Sequence, residues 1–189
     1  MLDQQTHSHW SHIRGEAMQG EMLGAKLTML SSEMTTWDDW RARNPDTTVL
    51  DLSRTAERFT REFYKDPAEF VYGWSLRRKR YHLSMDALVH APLQELNLRG
   101  EPLLLVFDSE TTGVRLLSRV LDGRTLTFVP AGDDRMRDQE TNSTWDAYAG
   151  RATAGPLKGK ALDRRLGMLS YKRAWNTFYP KCMDLGTRP

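Results

Sequence analysis

The sequence contains a single cysteine, Cys182, among 189 residues. A disulfide framework and a metal site built from several cysteines are therefore both excluded. Long apolar runs are also missing, because the longest strongly apolar stretch, residues 103–107, is far shorter than the ~18 residues of a membrane-spanning helix. Neither sign of charge dominates, since 27 basic and 25 acidic residues are interleaved and give a formal net charge of +2. The chain as a whole is therefore not expected to bind nucleic acid through bulk electrostatic attraction.

An internal repeat relates the start of the chain to its end at an offset of 135 residues. Fourteen of the first fifty positions are identical at this offset, without a gap. Many of the shared residues are of types that fix turns or fill cores. The repeated residues of the first copy are Met1, Asp3, Gln4, Thr6, Ser8, Trp10, Gly15, Ala17, Gly20, Gly24, Leu27, Trp40, Pro45 and Leu50.

The repeat predicts how the domain is organised. Residues 1–50 form a first unit, residues 51–120 a middle β-rich segment, and residues 121–189 a second unit, all within one compact domain. A turn and strand at residues 121–129 lead into the second copy, whereas the first copy starts at Met1. We therefore expect either a shortened first unit or a chain that is the C-terminal part of a longer protein.

Local patterns predict short strands and shorter helices. Alternating polar and apolar residues predict a strand at 125–129, and the apolar run at 103–107 predicts the most buried strand. A helix is predicted at 170–179, with Ser170 as its N-cap and an apolar stripe from Tyr171 to Phe178. The predicted fold class is α+β, mainly β, with two related β-hairpin-plus-short-helix units around a shared core.

Several of these segments resemble a prokaryotic family, the domain of unknown function number 3179. They are the Asp-Gln-Glu-Thr-Asn-Ser-Thr-Trp run at 138–145, the glycine-rich run at 150–159, and segments 37–47, 101–108 and 121–128. The resemblance covers nearly the whole chain and implies an exported protein, periplasmic or extracellular, with no settled activity. Family members usually carry a cysteine pair near a Cys-Pro sequence ahead of the first hairpin. This chain lacks that segment, so no chemistry based on those cysteines is carried over.

Three local patterns contain residue types that occur in catalytic or metal sites. His7, His9 and His12 form a His-x-His-x-x-His pattern, and two of them would point to one side of a strand, as metal ligands require. The second copy has other residue types at all three positions, which disfavours this interpretation.

The acid pairs 38/39, 108/110 and 133/134 lie mostly in predicted turns, where two carboxylates rarely face each other across a cleft. Cys182 follows a helix-ending proline and is interpreted as a partly buried thiol rather than a nucleophile.

The densest positive run, residues 77–80, has aromatic neighbours. Basic and aromatic side chains together can bind anions or glycans, although a basic hairpin turn is more often simply exposed to solvent. The predicted ligand-binding residues are Trp74, Arg77, Arg78, Arg80, His82 and Asp108.

The sequence therefore favours a non-catalytic module that binds a small molecule, a glycan or a protein. No catalytic residues, cofactor, nucleic acid or transmembrane segment are expected. The alternative is a metal or redox protein, or a hydrolase, whose key residues lie partly in a missing N-terminal segment.

Overall fold

A computed structural model describes residues 1–49, 66–132 and 134–186. Its fold is mainly β, as the sequence predicts. The strands are β1 (His9–Ser11), β2 (Glu16–Gln19), β3 (Phe70–Leu76), β4 (Lys79–Ser84), β5 (Leu93–Leu98), β6 (Glu101–Asp108), β7 (Gly113–Ser118), β8 (Val120–Leu121), β9 (Arg124–Thr125), β10 (Phe128–Pro130), β11 (Arg135–Asp138), β12 (Thr144–Asp146), β13 (Arg151–Ala154), β14 (Arg164–Arg165), β15 (Gly167–Tyr171) and β16 (Met183–Asp184). The helices are α1 (Trp37–Arg43), α2 (Met85–His90) and α3 (Lys172–Phe178), and a 3-10 turn spans Pro67–Glu69.

Three four-stranded sheets build most of the described fold. The central sheet has the order β14-β7-β6-β5, the first outer sheet β15-β3-β4-β16, and the second outer sheet β10-β11-β12-β13. Within them, only β16 and β4 pair in parallel, and the other neighbours are antiparallel. The strands β1 and β2 form a separate small sheet, as do β8 and β9.

Side chains of β6 alternate between two apolar clusters. Leu103, Leu105 and Phe107 belong to a cluster with aromatic residues of the first outer sheet. Leu104 and Val106 belong to a different cluster with residues of the second outer sheet. The central sheet is therefore buried on both faces, which explains why β6 is continuously apolar rather than alternating. The core consists of two clusters on opposite faces of one sheet, where the sequence predicted a single shared core.

Several predicted local structures are confirmed. The apolar run at 103–107 lies within β6. Ser84 caps α2 by accepting a hydrogen bond from the Ala87 N–H at 3.2 Å. Asp122 and Gly123 both have positive φ at the tip of the β8–β9 hairpin, the conformation that favours an Asp-Gly turn.

Two predicted boundaries are wrong. The strand predicted at 125–129 is divided between β9 and β10. The helix predicted at 170–179 begins only at Lys172, because Ser170 belongs to β15 and pairs with Val71 of β3. Its N-cap residue is Tyr171, which makes no side-chain capping bond. Of the predicted apolar stripe Trp175 alone is buried, whereas Tyr171 and Phe178 are 48% and 39% exposed.

Two turns of the chain have matching hydrogen bonds. Asp3 Oδ1 accepts from the Thr6 N–H at 2.6 Å, and Asp3 Oδ2 accepts from the Trp10 indole at 2.8 Å. The corresponding bonds of Asp138, to the Thr141 N–H and the Trp145 indole, are 2.6 and 2.9 Å. The surroundings of the two indoles differ, because Trp145 is fully buried and Trp10 is partly exposed. Leu50, one of the repeated positions, lies outside the described residues.

Candidate ligand-binding pocket

The β3–β4 hairpin separates the predicted ligand-binding residues. Trp74 and Tyr81 are paired across the hairpin, stack with their ring centres 6.0 Å apart and are buried in the core. Arg77 and Arg78 form the turn, where both have positive φ and exposed side chains. Arg80 is paired with Ser75, one residue away from the Trp74 pair, so its side chain leaves the opposite face of the hairpin.

A pocket of about 280 Å³ lies beside this hairpin. Segments from three parts of the chain line it: the β3–β4 hairpin, the region from Leu166 to Tyr179, and the first 30 residues. Trp74 and Arg80 both contribute to its wall, and none of the described residues that line it is acidic. Its apolar lining residues include Ile13, Met29, Leu30, Leu166 and Met168.

Arg80 supplies positive charge to the pocket. Its guanidinium carbon lies 4.9 Å from the ring centre of Tyr179, within the range of a cation–π contact. Its Nε is buried and has no hydrogen-bond partner, and no carboxylate within the described part of the chain pairs with it. Arg14 is the second guanidinium at the pocket, and it forms an ion pair with Glu16 at 3.2 Å. A partly buried arginine without an acidic partner favours an anionic ligand.

Trp175 of α3 and the following Tyr179 form an aromatic part of the pocket wall, packed against the hairpin. The Trp175 ring lies directly over Gly73, where an added Cβ would come within 2.5 Å of ring carbons. Only glycine at position 73 therefore lets the indole approach the strand this closely. The Tyr179 ring meets Trp175 edge-on at 4.7 Å, and its hydroxyl donates to the Ile13 carbonyl at 3.0 Å. This hydrogen bond joins the end of α3 to the first 30 residues across the pocket.

His82 and Asp108 do not line the pocket. His82 is buried, and its Nδ1 lies 3.9 Å from a carboxylate oxygen of Asp184. Burial lowers the pKa of His82, and Asp184 only partly opposes that effect. Asp108 ends β6 and accepts hydrogen bonds from the Glu110 N–H and from Thr111, so it organises the following turn.

The histidine pattern at the start of the chain is not arranged as predicted. His7 has a φ of 52° and lies outside any strand, and His12 lies in a turn, so His9 alone belongs to a strand. Within the ranges that the structure describes, no three His, Cys, Asp or Glu side chains are grouped so that they could hold a metal ion.

The other residues considered for catalysis, Cys182 and Asp39, form hydrogen bonds or ion pairs with nearby residues of the chain. The Cys182 thiol donates to Asn176 Oδ1 at 3.2 Å, and burial raises the pKa of this thiol, which favours its protonated form. Asp39 accepts from the Thr35 hydroxyl and forms an ion pair with Arg43. Asp133 lies outside the described residues. None of the helices described is both apolar enough and long enough to span a membrane.

A buried charge cluster around Glu33 was missed by the sequence analysis. Arg115 donates to both Glu33 carboxylate oxygens, at 2.7 and 2.9 Å, and Arg164 donates to one of them at 3.0 Å. Burial alone would raise the pKa of Glu33, but the hydrogen bonds and charge of Arg115 bring it below its usual value. Burial and the neighbouring Glu33 raise the pKa of Tyr148 to about 12. The cluster attaches residue 33 to the central sheet.

No local signal could have revealed this cluster. Glu33 is separated from Arg115 by 82 residues and from Arg164 by 131. Each residue alone looks like an exposed charge, and only the pairing of β14 with β7 brings the two arginines together. Gly113 leaves room for the Tyr148 side chain of this cluster, since an added Cβ would lie 2.0 Å from the Tyr148 hydroxyl.

No curated protein and no solved structure matches this chain. One family model does match, and it is described as a protein of unknown function, DUF3179. It covers residues 1–182 of the 189, in agreement with the resemblance seen in the sequence. By this match, and with the mainly β fold described above, the chain belongs to the DUF3179 family.

Proposed function

We propose that the protein is a non-catalytic binding module whose pocket takes a small organic anion with an apolar body. The observation that carries this proposal is Arg80, a guanidinium at the pocket wall with a buried, unbonded Nε and no acidic partner in the described chain. A guanidinium that is partly removed from water and has no acidic partner would be stabilised by an anion in the pocket.

The lining of the pocket supports this ligand class. Five of its residues are aliphatic or thioether side chains, which favour the burial of an apolar chain or ring. The aromatic residues Trp175 and Tyr179 add flat surfaces beside the guanidinium. Among the described lining residues the charged side chains are Arg14 and Arg80, and both would repel a cationic ligand.

We also propose that the first and second units arose by internal duplication. The matching hydrogen bonds of Asp3 and Asp138 support this proposal. Further support comes from Ser8 and Ser143, whose hydroxyls accept from the Met22 and Leu157 N–H groups, both at 3.0 Å. In this interpretation the repeated residues maintain the turns, and the lining residues that the two units supply differ between the copies except Trp175, whose counterpart is Trp40.

Calorimetric titration tests the binding function. Phenylacetate, hexanoate and phenyl phosphate are titrated into the protein, and phenylacetamide serves as the uncharged match for phenylacetate. We expect at least one anion to bind, phenylacetamide to bind much more weakly, and Arg80→Met to reduce the affinity by about tenfold or more, as expected for a lost charge-assisted hydrogen bond.

The matched control is Arg78→Met, which removes an equal charge from the exposed turn of the same hairpin. This variant should bind the anions as tightly as the parent protein. The proposal is wrong if none of the three anions binds, or if the two arginine variants bind equally well.

A further inference from the structure

A second cavity, of about 290 Å³, lies close to the pocket beside Arg80. The end of β3 lines it, together with residues of β6, β7 and β14. Its lining residues Leu103 and Leu116 are buried and belong to the same apolar cluster as Trp74. This second cavity therefore lies at one end of the seam between the first outer sheet and the central sheet.

The pocket and the second cavity share part of their walls. Trp74, Ser75 and Leu166 line both of them. Ser75 is exposed and Leu166 is 53% exposed, so surface side chains make up part of the boundary. Leu166 links β14 of the central sheet to β15 of the first outer sheet. A flexible ligand can therefore pass over this boundary without displacing core side chains.

The size of the pocket also favours a ligand that continues into the second cavity. Binding sites for small organic ligands usually have volumes of about 300–1,000 Å³. The pocket alone, at about 280 Å³, falls just below this range. The pocket and the second cavity together have about twice that volume and fall within the range.

The charged residues indicate which end of such a ligand lies in which cavity. In the second cavity Arg165 pairs with Glu101 at 3.1 Å, and Arg164 pairs with Glu33 at 3.0 Å. Both of these guanidinium groups therefore already have a carboxylate partner, whereas Arg80 has none among the described residues. An anionic head group is favoured at Arg80, and the leucine side chains of the second cavity favour the apolar part of the ligand.

We propose that the ligand is an elongated carboxylate, whose head group binds at Arg80 and whose apolar chain crosses Leu166 into the second cavity. The proposal rests on the binding function proposed above and names its ligand class. Leu103 and Leu116 are the buried surface against which the end of the chain packs. Each further methylene group that enters the second cavity leaves water, so the affinity increases with chain length.

Calorimetric titration tests the proposal with hexanoate as the short carboxylate and decanoate as the long one. Complete burial of one methylene group corresponds to about a fourfold gain in affinity, and the ordering of a flexible chain offsets part of this gain. We expect one decanoate to bind per chain, at least tenfold more tightly than hexanoate. Arg80→Met should weaken the binding of both carboxylates by about tenfold or more.

Two leucine variants distinguish binding in the second cavity from apolar adsorption elsewhere on the surface. Leu76 lines the second cavity but not the pocket, whereas Leu23 lines neither and is 68% exposed. Leu76→Asp places a carboxylate beside the ligand chain, so decanoate should bind at least tenfold more weakly than to the parent, with hexanoate unaffected. Leu23→Asp makes the same chemical change at the surface and should leave both affinities unchanged.

Amide chemical shifts of the unsubstituted protein show directly which cavity each ligand enters. Both carboxylates should shift the amides of Gly73 and Met168, which line the pocket. Decanoate, unlike hexanoate, should also shift the amides of Leu76 and Arg165 in the second cavity. This measurement decides between the alternatives even if Leu76→Asp fails to fold.

Three results would overturn the proposal while the binding of a small anion at Arg80 still stands. They are decanoate affinity no higher than that of hexanoate, equal effects of Leu76→Asp and Leu23→Asp on decanoate, and unshifted amides in the second cavity when decanoate binds. By contrast, the function proposed above would fail together with this inference if no carboxylate binds, or if the binding of every carboxylate is independent of Arg80.

Discussion

At the scale of single residues, the carboxylate of Asp138 organises the turn at residues 138–143 of the second unit. It is fully buried and accepts hydrogen bonds from the Thr141 N–H, the Ser143 N–H and the Trp145 indole. Burial raises the pKa of Asp138, but the bonds from Trp145 and Thr141 outweigh it and bring the pKa below its usual value. The ionised form is therefore the one that the fold stabilises.

This predicts an acid-sensitive contribution to stability. Because the pKa of Asp138 is lower in the folded chain than in the unfolded chain, the stabilisation is complete above the unfolded pKa and is lost as the pH falls through the folded pKa. Asp138→Asn should lower the free energy of unfolding at pH 7 by about 2 kcal/mol, since an amide cannot accept all of these bonds. Urea unfolding at pH 7 and at acidic pH measures the loss, which should shrink in acid.

Asp3→Asn is the matched control for this prediction. Asp3 makes equivalent hydrogen bonds, but its indole partner is partly exposed, so water replaces the lost bonds more readily. We expect a clearly smaller loss than for Asp138→Asn. Equal losses at the two positions would contradict the role that we assign to burial.

At the scale of elements, the Glu33 cluster joins the segment before α1 to β7 and β14. The Glu33 side chain is 6% exposed and pairs with the guanidinium groups of Arg115 and Arg164. The guanidinium of Arg115 also lies 4.0 Å from the ring centre of Tyr148. Removing one member of such a buried group leaves the others as unpaired charges.

Glu33→Gln should therefore destabilise the protein by about 3 kcal/mol, the range observed when a buried ion pair loses one partner. It should also lower the pKa of Tyr148 from about 12 toward its ordinary value, because the carboxylate contributes to the raised pKa. Thermal unfolding and a spectrophotometric tyrosine titration measure the two effects. Glu16→Gln, which breaks an exposed pair with Arg14, is the control and should change stability little. An unchanged tyrosine titration in Glu33→Gln would contradict the assignment.

The elements also show which features the sequence could predict. The strand β6 and the capped helix α2 were predicted, because an apolar run and a Ser cap are local signals. The start of α3 was not, since pairing with β3 extends β15 through Ser170 and Tyr171. Of the six predicted ligand-binding residues, Trp74 and Arg80 line the pocket. Its other walls come from distant segments, whose approach depends on tertiary packing rather than on any local pattern.

At the scale of the whole molecule, the first unit is attached differently from the rest. Among residues 1–49, all of which the structure describes, Ala17 is the only buried apolar side chain. Its side-chain hydrogen bonds and ion pairs with the rest of the described chain include those of Glu33 with Arg115 and Arg164 and that of Tyr179 with the Ile13 carbonyl. Regions with few buried apolar contacts open at a lower free energy than the core.

Hydrogen exchange followed by mass spectrometry should therefore show faster exchange in β1 and β2 than in β6 and β7. Occupation of the pocket should slow exchange around residues 13–14 and 29–30, because these residues line it. Phenylacetate at saturating concentration is the probe, and phenylacetamide is the control. Exchange in β1 and β2 as slow as in β6 would show that the first unit belongs to the same cooperative core.

The burial of β6 on both faces has a consequence for synthesis on the ribosome. The strand leaves the exit tunnel before residues 128–162, which supply most of the second apolar cluster. Until those residues follow, the nascent chain presents Leu104 and Val106 on a face that nothing yet covers. Consecutive β-prone apolar residues are what holding chaperones bind and what nucleates aggregation. A released chain that ends between residues 108 and 128 should therefore depend on chaperones to stay in solution.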